Sequence, residues 1–122
     1  MIDIKIGVVE SHFAEIIWKN EPIHSRELAK LCLQELNWKR PTTYNVLRKL
    51  CEKGIFQNQE GIVSSVISRQ EFYGMQGENF VEETFQGSLP AFLTAFTARK
   101  KLSDKEIEEL IAIIKDGGGS KT

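Results

Sequence analysis

The sequence predicts a mostly α-helical fold with one small β-hairpin near the middle of the chain. Apolar residues recur every three or four positions through six segments, which is the period of a helix with one buried face. Between the third and fourth segments, two short runs containing β-branched residues flank a glycine turn, which is typical of a hairpin. At 122 residues, the chain suffices for one compact domain or for a small domain with an appended module.

The composition is that of an ordinary globular protein. Hydrophobic residues make up 41% of the chain and charged residues 27%, which argues against wholesale disorder. No apolar run approaches the length of about 18 residues that a transmembrane helix needs, so we expect no insertion into a membrane. The first residues lack the basic start, the apolar stretch and the cleavage site of a signal peptide. We therefore expect a cytoplasmic protein.

The sequence contains no enzyme signature. Cys32 and Cys51 lack CxxC spacing and are predicted to be free, buried thiols. His24 has no second ligand at metal-binding spacing, so we expect it to cap a helix or lie at the surface. The glycine run at 117–119 follows no strand, and the acidic pairs are typical of solvent-exposed helix faces. These observations predict a protein that is not an enzyme and needs no metal or cofactor.

Two amphipathic helices are predicted at the start of the chain. The first runs from residue 8 to about 20 and ends before Pro22. Its apolar stripe consists of Val9, Phe13, Ile16 and Ile17. The second runs from residue 25 to about 36, with His24 as its N-cap and apolar residues at the positions of a hydrophobic staple.

A third helix is predicted from Pro41 to residue 53, because proline favours the first helical turn and Gly54 favours the position just past a helix end. The predicted buried stripe consists of Thr43, Val46, Leu47 and Leu50. Thr43 could instead lie on the opposite face, although its register favours the core. That opposite face is polar and mostly cationic, and it consists of Thr42, Tyr44, Asn45, Arg48, Lys49 and Glu52.

The predicted hairpin comprises residues 55–58 and 62–68, joined by Gln59-Glu60-Gly61. Three helices followed by a hairpin is the order of a winged helix, and the short link between its second and third helices marks a helix-turn-helix. The formal net charge of −1 does not itself indicate nucleic-acid binding. Residues 37–53, however, carry five basic side chains against Glu52 alone.

A helix in the major groove must present hydrogen-bonding side chains to base edges and cations to phosphates. Thr42, Tyr44 and Asn45 suit the base edges. The predicted DNA-binding residues are Lys39, Arg40, Thr42, Thr43, Tyr44, Asn45, Arg48 and Lys49. The alternative is a generic three-helix core whose third helix is merely solvated.

Three further helices are predicted at 70–87, 89–101 and 104–115, the last with a capping box at Ser103 and Glu106. Their apolar stripes consist of Phe80, Phe85, Leu89, Phe92, Phe96, Leu110, Ile113 and Ile114. Roughly 50 residues make too small a core to bury this surface, so we expect these side chains to form a homodimer interface. The predicted division is residues 1–68, a winged-helix DNA-binding domain, residues 69–116, a helical dimerisation module, and residues 117–122, a flexible tail.

Three segments together resemble the penicillinase repressor (BlaI/MecI) family. They are EIIWKNEPIHSRELAK at 15–30, NWKRPTTYNVLRKLCEKGIF at 37–56 and GSLPAFLTAFTARKKLSDKEIEEL at 87–110. The resemblance spans nearly the whole chain. It implies an N-terminal winged helix, C-terminal dimerisation and binding to palindromic operators.

Three departures from that family qualify the resemblance. Repressors of β-lactam resistance are cleaved at an Asn-Phe bond after a membrane sensor protease system is triggered, and the matching bond here is Ala95-Phe96. The resemblance therefore makes Ala95 and Phe96 a candidate cleavage site. Copper-responsive relatives carry CxC motifs near the C-terminus, whereas this chain has no cysteine after Cys51. The hairpin also lacks the basic residue that many relatives carry there.

The sequence therefore predicts a homodimeric repressor that binds double-stranded operator DNA, with a membrane sensor protease system as a further candidate partner. An alternative hypothesis is that the protein is a winged-helix adaptor that binds another protein through Tyr44 and the short hairpin. The near-neutral charge and the uncharged hairpin strands keep that alternative open.

Overall fold

Six α-helices and one three-stranded antiparallel sheet occur within residues 2–118, the part of the chain that the computed structural model describes. The helices are α1 (Val8–Asn20), α2 (Ser25–Leu36), α3 (Arg40–Glu52), α4 (Arg69–Phe85), α5 (Leu89–Arg99) and α6 (Asp104–Ile113). The strands are β1 (Ile23–His24), β2 (Phe56–Gln59) and β3 (Ile62–Ser65). This order confirms the predicted winged helix followed by a helical module.

The sheet has the order β1-β3-β2. The β2–β3 hairpin, in which Phe56 lies opposite Ser65, confirms the predicted wing. Strand β1 was not predicted, because two residues are too few to show alternation. It pairs with β3, with Ile23 opposite Val63. Strand β3 ends at Ser65, whereas the prediction extended it to Ser68.

The N-terminal core lies between the first three helices, the sheet and the start of α4. Trp18 joins these elements, since its ring centroid lies 5.2 Å from that of Phe56 and 5.5 Å from that of Phe72. The fully buried apolar side chains are Phe13, Ala14, Ile17, Leu28, Cys32, Leu50, Ile55, Phe56, Val63 and Phe72. Val9 is 59% exposed, so the prediction that it lies in the buried stripe is wrong. The first turn of α1 extends past the core.

The segment before α1 packs on the same core, although it forms no helix or strand. Its half-buried isoleucines are Ile2, Ile4 and Ile6. The Asp3 backbone N–H donates to the Lys53 carbonyl at 2.8 Å. The Gln76 side-chain amide donates to the Ile4 carbonyl at 3.0 Å. The segment thereby contacts both the C-terminal end of α3 and the helix α4.

The chain divides into two compact units within α4, one ending at Asn79 and the other beginning at Phe80. Phe72 is fully buried in the N-terminal core, and Tyr73 and Met75 pack against that core. The first half of α4 is therefore part of the first unit. The domain boundary predicted after residue 68 lies at the start of α4, whereas the two units divide within that helix.

The second unit contains a cluster of aromatic rings on α4 and α5, with successive centroids 5.6 to 5.9 Å apart. The cluster consists of Phe80, Phe85, Phe92 and Phe96. Within residues 80–117, no hydrophobic side chain reaches the burial of the N-terminal core. The predicted capping box at Ser103 and Glu106 is confirmed, with the Ser103 hydroxyl accepting from the Glu106 N–H.

A π-helical turn, Ile114–Gly118, follows α6 and includes the first two residues of the predicted tail. Residues 119–122 of that tail lie outside the described residues. Among the helices of residues 2–118, none is both long and apolar enough to cross a membrane.

Candidate nucleic-acid interface

Helix α3 begins and ends where its local sequence requires. Pro41 lies in its first turn, where a missing N–H breaks no hydrogen bond. The amides of Thr42 and Thr43 donate to the Lys39 carbonyl at 3.0 and 3.2 Å. Gly54 has a φ of 83°, a left-handed conformation that glycine adopts without strain. The helix ends at Glu52, one residue before the predicted end, and begins at Arg40, one residue before the predicted start.

The turn before α3 joins it to α2. Asn37 adopts a left-handed conformation with a φ of 56°, which asparagine tolerates better than most residues. The Trp38 N–H donates to the Cys32 carbonyl at 3.2 Å. The Trp38 ring lies 5.3 Å from that of Phe13. These contacts anchor the short turn of the helix-turn-helix on α1.

One face of α3 is buried and the other is open to solvent. Thr43, Leu47 and Leu50 are buried in the core. Thr43 is 0% exposed, so it lies in the core and not on the opposite face of the helix. From this buried position its side chain cannot contact DNA. The exposed residues predicted to bind DNA are Lys39, Arg40, Thr42, Tyr44, Asn45, Arg48 and Lys49.

These exposed side chains are available for binding. Within residues 2–118, none of the seven takes part in a side-chain hydrogen bond or an ion pair, which leaves every guanidinium and ammonium donor unused. Arg40 precedes the helix interior, and Arg48 and Lys49 lie in its second half. The arrangement can place cations at both ends of a stretch that contains Thr42 and Asn45.

The hydroxyl of Thr43 makes no hydrogen bond of normal geometry within the described residues. It faces the thiol of Cys32 on α2. Burial raises the pKa of the Cys32 thiol, and the contact with Thr43 partly offsets this effect. The two helices of the helix-turn-helix are therefore in contact through Thr43 and Cys32, two polar side chains that form no strong hydrogen bond.

The wing is attached to the start of α2. The Ser25 N–H donates to the Gly61 carbonyl at 2.7 Å. His24 caps α2 as predicted, its Nδ1 accepting from the Arg26 N–H at 3.1 Å. The His24 ring also lies so close to Gly61 that a Cβ there would come within 2.8 Å of Nε2. Glycine is therefore required at the wing tip both by this close approach and by its φ of 91°.

A second polar cluster joins α1 to α4, and sequence reasoning missed it. Arg69 Nε lies 2.8 Å from both carboxylate oxygens of Glu15, and the Tyr73 hydroxyl donates to Glu15 at 2.7 Å. Burial acts to raise the pKa of Glu15, but the bonds from Tyr73 and Arg69 lower it overall. Burial and the Glu15 carboxylate raise the pKa of Tyr73 to about 12. Glu15 lies far from Arg69 and Tyr73 in the sequence, so no local sequence pattern indicated this cluster.

The residues predicted to form a dimer are partly or fully exposed in the second unit. Phe85, Phe92 and Leu110 are half-buried. The exposed ones are Phe80, Leu89, Phe96, Ile113 and Ile114. A groove of about 480 Å³ is lined by Phe92, Phe96, Leu110 and their neighbours on α5 and α6. Ala95 and Phe96, the candidate cleavage site, lie exposed within α5.

No group of three histidine, cysteine or acidic side chains that could hold a metal occurs within residues 2–118. The candidate site therefore consists of the exposed face of α3, with the wing beside it.

The chain matches the penicillinase repressor family over residues 6–116. It is 24% identical over 116 residues to a penicillinase repressor of Bacillus licheniformis, and the alignment covers 92% of this chain and 91% of that protein. It is 21% identical over 114 residues to the methicillin resistance regulatory protein MecI of Staphylococcus aureus, covering 90% and 93% of the two chains. Given this match over nearly its whole length, the chain belongs to the penicillinase repressor family, a family of transcriptional repressors.

Proposed function

We propose that this protein is a homodimeric repressor in which each protomer inserts α3 into the major groove of one half of a palindromic operator. Its partners are double-stranded operator DNA and a second copy of itself. It acts in the cytoplasm by binding, without catalysis or a cofactor. Two-fold symmetry requires half-sites about one helical turn of DNA apart, or a multiple of that distance.

The observation that carries this proposal is the unengaged polar face of α3. A surface helix normally alternates charges that pair with each other, as Lys30 and Glu27 do on α2 at 3.4 Å. On α3 the cations Arg40, Arg48 and Lys49 have no such partner within the described residues. Phosphate oxygens would supply those partners, and base edges would supply partners for Thr42 and Asn45.

A binding titration tests this proposal. Fluorescence anisotropy would compare a labelled duplex from the region upstream of the protein's own gene with a scrambled duplex, at about 50 and 200 mM salt. We expect tighter binding to the first duplex and a steep loss of affinity at the higher salt. Equal affinity for both duplexes contradicts operator recognition. Binding to neither duplex would favour the protein-binding adaptor.

The homodimer is supported by the second unit. Its aromatic cluster and its α5–α6 groove leave large apolar side chains in water, among them Ile113, which is 63% exposed. Covering such side chains is favourable by roughly 25 cal/mol per Å² of apolar surface. A second copy is the partner that a palindromic site requires. Sedimentation equilibrium would check the assembly, and a monomer at micromolar concentration would contradict it.

We also propose that the repressor is released by cleavage between Ala95 and Phe96, through a membrane sensor protease system. Both residues are exposed, but their bond lies inside α5, so a protease needs local unwinding of that helix. Mass spectrometry of the protein from cells treated with a β-lactam would reveal fragments ending at Ala95. Derepression with an intact chain would contradict this mode of release.

A further inference from the structure

The tip of the wing carries a glutamate in a conformation that its side chain disfavours. Glu60 has a φ of 53° and Gly61 a φ of 91°. A two-residue hairpin turn with both residues at positive φ is best formed by Asn-Gly or Gly-Gly. A residue with a Cβ is strained there, and strained residues that persist are often functional.

Glu60 is also the sole charged residue of the wing. Residues 54–68 contain no lysine, arginine, histidine or aspartate, and no second glutamate. The side chain is exposed, and it forms no hydrogen bond or ion pair within residues 2–118. Its carboxylate is therefore exposed to solvent, and within residues 2–118 no cation pairs with it at ion-pair distance.

The fold fixes this carboxylate next to the start of the helix-turn-helix. The Gly61 carbonyl accepts from the Ser25 N–H at 2.7 Å, and the His24 ring packs on Gly61. The pairing of His24 with Ile62 adds a strand to the same edge. The first helix of a helix-turn-helix crosses the DNA backbone when the second lies in the major groove. The wing tip is therefore held beside the N-terminal end of α2, the helix expected to cross the DNA backbone in that arrangement.

We propose that Glu60 repels the phosphate backbone and keeps the wing from binding it, which limits the affinity of each protomer for DNA. This inference rests on the proposed function. A carboxylate about 6 Å from one phosphate in water weakens binding roughly threefold, and two wings in a dimer weaken it about tenfold. Recognition then depends on α3, and the wing acts as a negative determinant of affinity.

The test uses the intact protein with the Glu60→Gln variant, which removes the charge but keeps the side-chain size and backbone conformation. Its matched control is Glu78→Gln, the same charge change at an exposed position on α4. Anisotropy titrations with a scrambled 30-bp duplex at about 50 mM salt should show about tenfold tighter binding for Glu60→Gln, narrowing at about 300 mM as charges are screened. Glu78→Gln should bind as the unmodified protein does. Equal effects of the two variants, or no effect of either, overturn the proposal.

A third variant separates charge from backbone strain. Glu60→Gly removes both, so it should bind DNA as tightly as Glu60→Gln and unfold at a higher urea concentration. If Glu60→Gly tightens binding and Glu60→Gln does not, the backbone conformation decides the affinity and the charge proposal is wrong. If the unmodified protein shows no salt-sensitive binding to any duplex, the proposed function fails as well. If it binds and only the effect of Glu60 is missing, the inference about the wing fails alone.

Discussion

The Glu21 carboxylate, just after α1, accepts hydrogen bonds from both the backbone N–H and the hydroxyl of Ser65, at 2.7 and 2.8 Å. Ser65 is the last residue of β3. This contact joins the end of the first helix to the base of the wing, across 44 positions of the sequence. The orientation of the wing is therefore fixed at both ends, by Glu21 at its base and by Ser25 at its tip.

Replacing Glu21 by alanine should lower the free energy of unfolding. Hydrogen bonds to a charged, partly buried acceptor contribute about 1.5–3 kcal/mol. Ser65→Ala should cost less, because its backbone N–H keeps the carboxylate as acceptor. Urea unfolding would measure both, with Glu78→Ala as an exposed control. Additive effects of Glu21→Ala and Ser65→Ala in the double variant would show that the Ser65 hydroxyl does not interact with Glu21.

Replacing Thr43 by valine should stabilise the protein by about 1 kcal/mol, because a buried hydroxyl without a strong hydrogen bond is costly. The variant should bind DNA as the unmodified protein does, since Thr43 is fully buried. Thr42→Val, on the exposed face, should instead alter sequence preference and leave stability nearly unchanged. A loss of stability in Thr43→Val would mean that the contact with Cys32 is stronger than its geometry indicates.

The ionisation of Tyr73 should be detectable by ultraviolet absorbance. Its pKa, raised to about 12 by burial and by Glu15, exceeds the value of about 10 expected in an unfolded chain. The resulting stabilisation is present below pH 10 and is lost as the pH rises from 10 through 12. Glu15→Gln should bring this titration closer to the usual value. Tyr73→Phe should abolish it, and an unchanged high-pH titration in that variant would contradict the assignment.

The stabilisation that Glu15 contributes has the opposite dependence on pH, and it changes in the acid range. Its lowered pKa favours the charged form in the folded state, so its contribution is present above the unfolded pKa and is lost as the pH falls through the folded value. The Glu15→Gln variant should therefore have a lower free energy of unfolding at neutral pH, and this free energy should fall less steeply as the pH is lowered. The same pH dependence in both proteins would show that Glu15 is not involved.

Arg48→Ala and Asn45→Ala should weaken DNA binding in different ways. If Arg48 contacts phosphate, its loss should reduce affinity for all sequences and flatten the salt dependence by about one phosphate contact. Loss of a base contact from Asn45 should relax sequence preference by about 1–3 kcal/mol. Lys101→Ala in the second unit is the control. Unchanged operator affinity in both variants would mean that α3 is not the recognition helix.

Phe96→Ser should give monomers and lose operator binding at the same time. Phe96 is 41% exposed, and among the described residues its ring has one aromatic neighbour, Phe92, at 5.9 Å. Its loss should therefore spare the fold of one protomer more than loss of Phe92 would. Sedimentation would report the assembly and circular dichroism the helix content. A variant that stays dimeric would place the interface elsewhere.

The sequence by itself determined the order of the six helices and the hairpin, and the limits of α3 to within one residue. Pro41 and Gly54 restrict the backbone locally, and the helical periods of α1 and α2 depend on neighbouring residues alone. The cap at His24 and the capping box at Ser103 are likewise local, since their partners lie within three residues. Such local patterns can be recognised in the sequence without knowledge of the fold.

Tertiary structure alone decided the features that depend on distant partners. Strand β1 exists because β3 lies beside it, and the contact between the Thr43 hydroxyl and the Cys32 thiol exists because α2 packs on α3. The Glu15–Arg69–Tyr73 cluster and the Glu21–Ser65 bond join residues more than 40 positions apart. Their existence depends on how the helices pack, which no short-range pattern records. The limits and the polar face of α3 were therefore predicted from local chemistry, whereas the attachment of the wing beside it came from the folded chain.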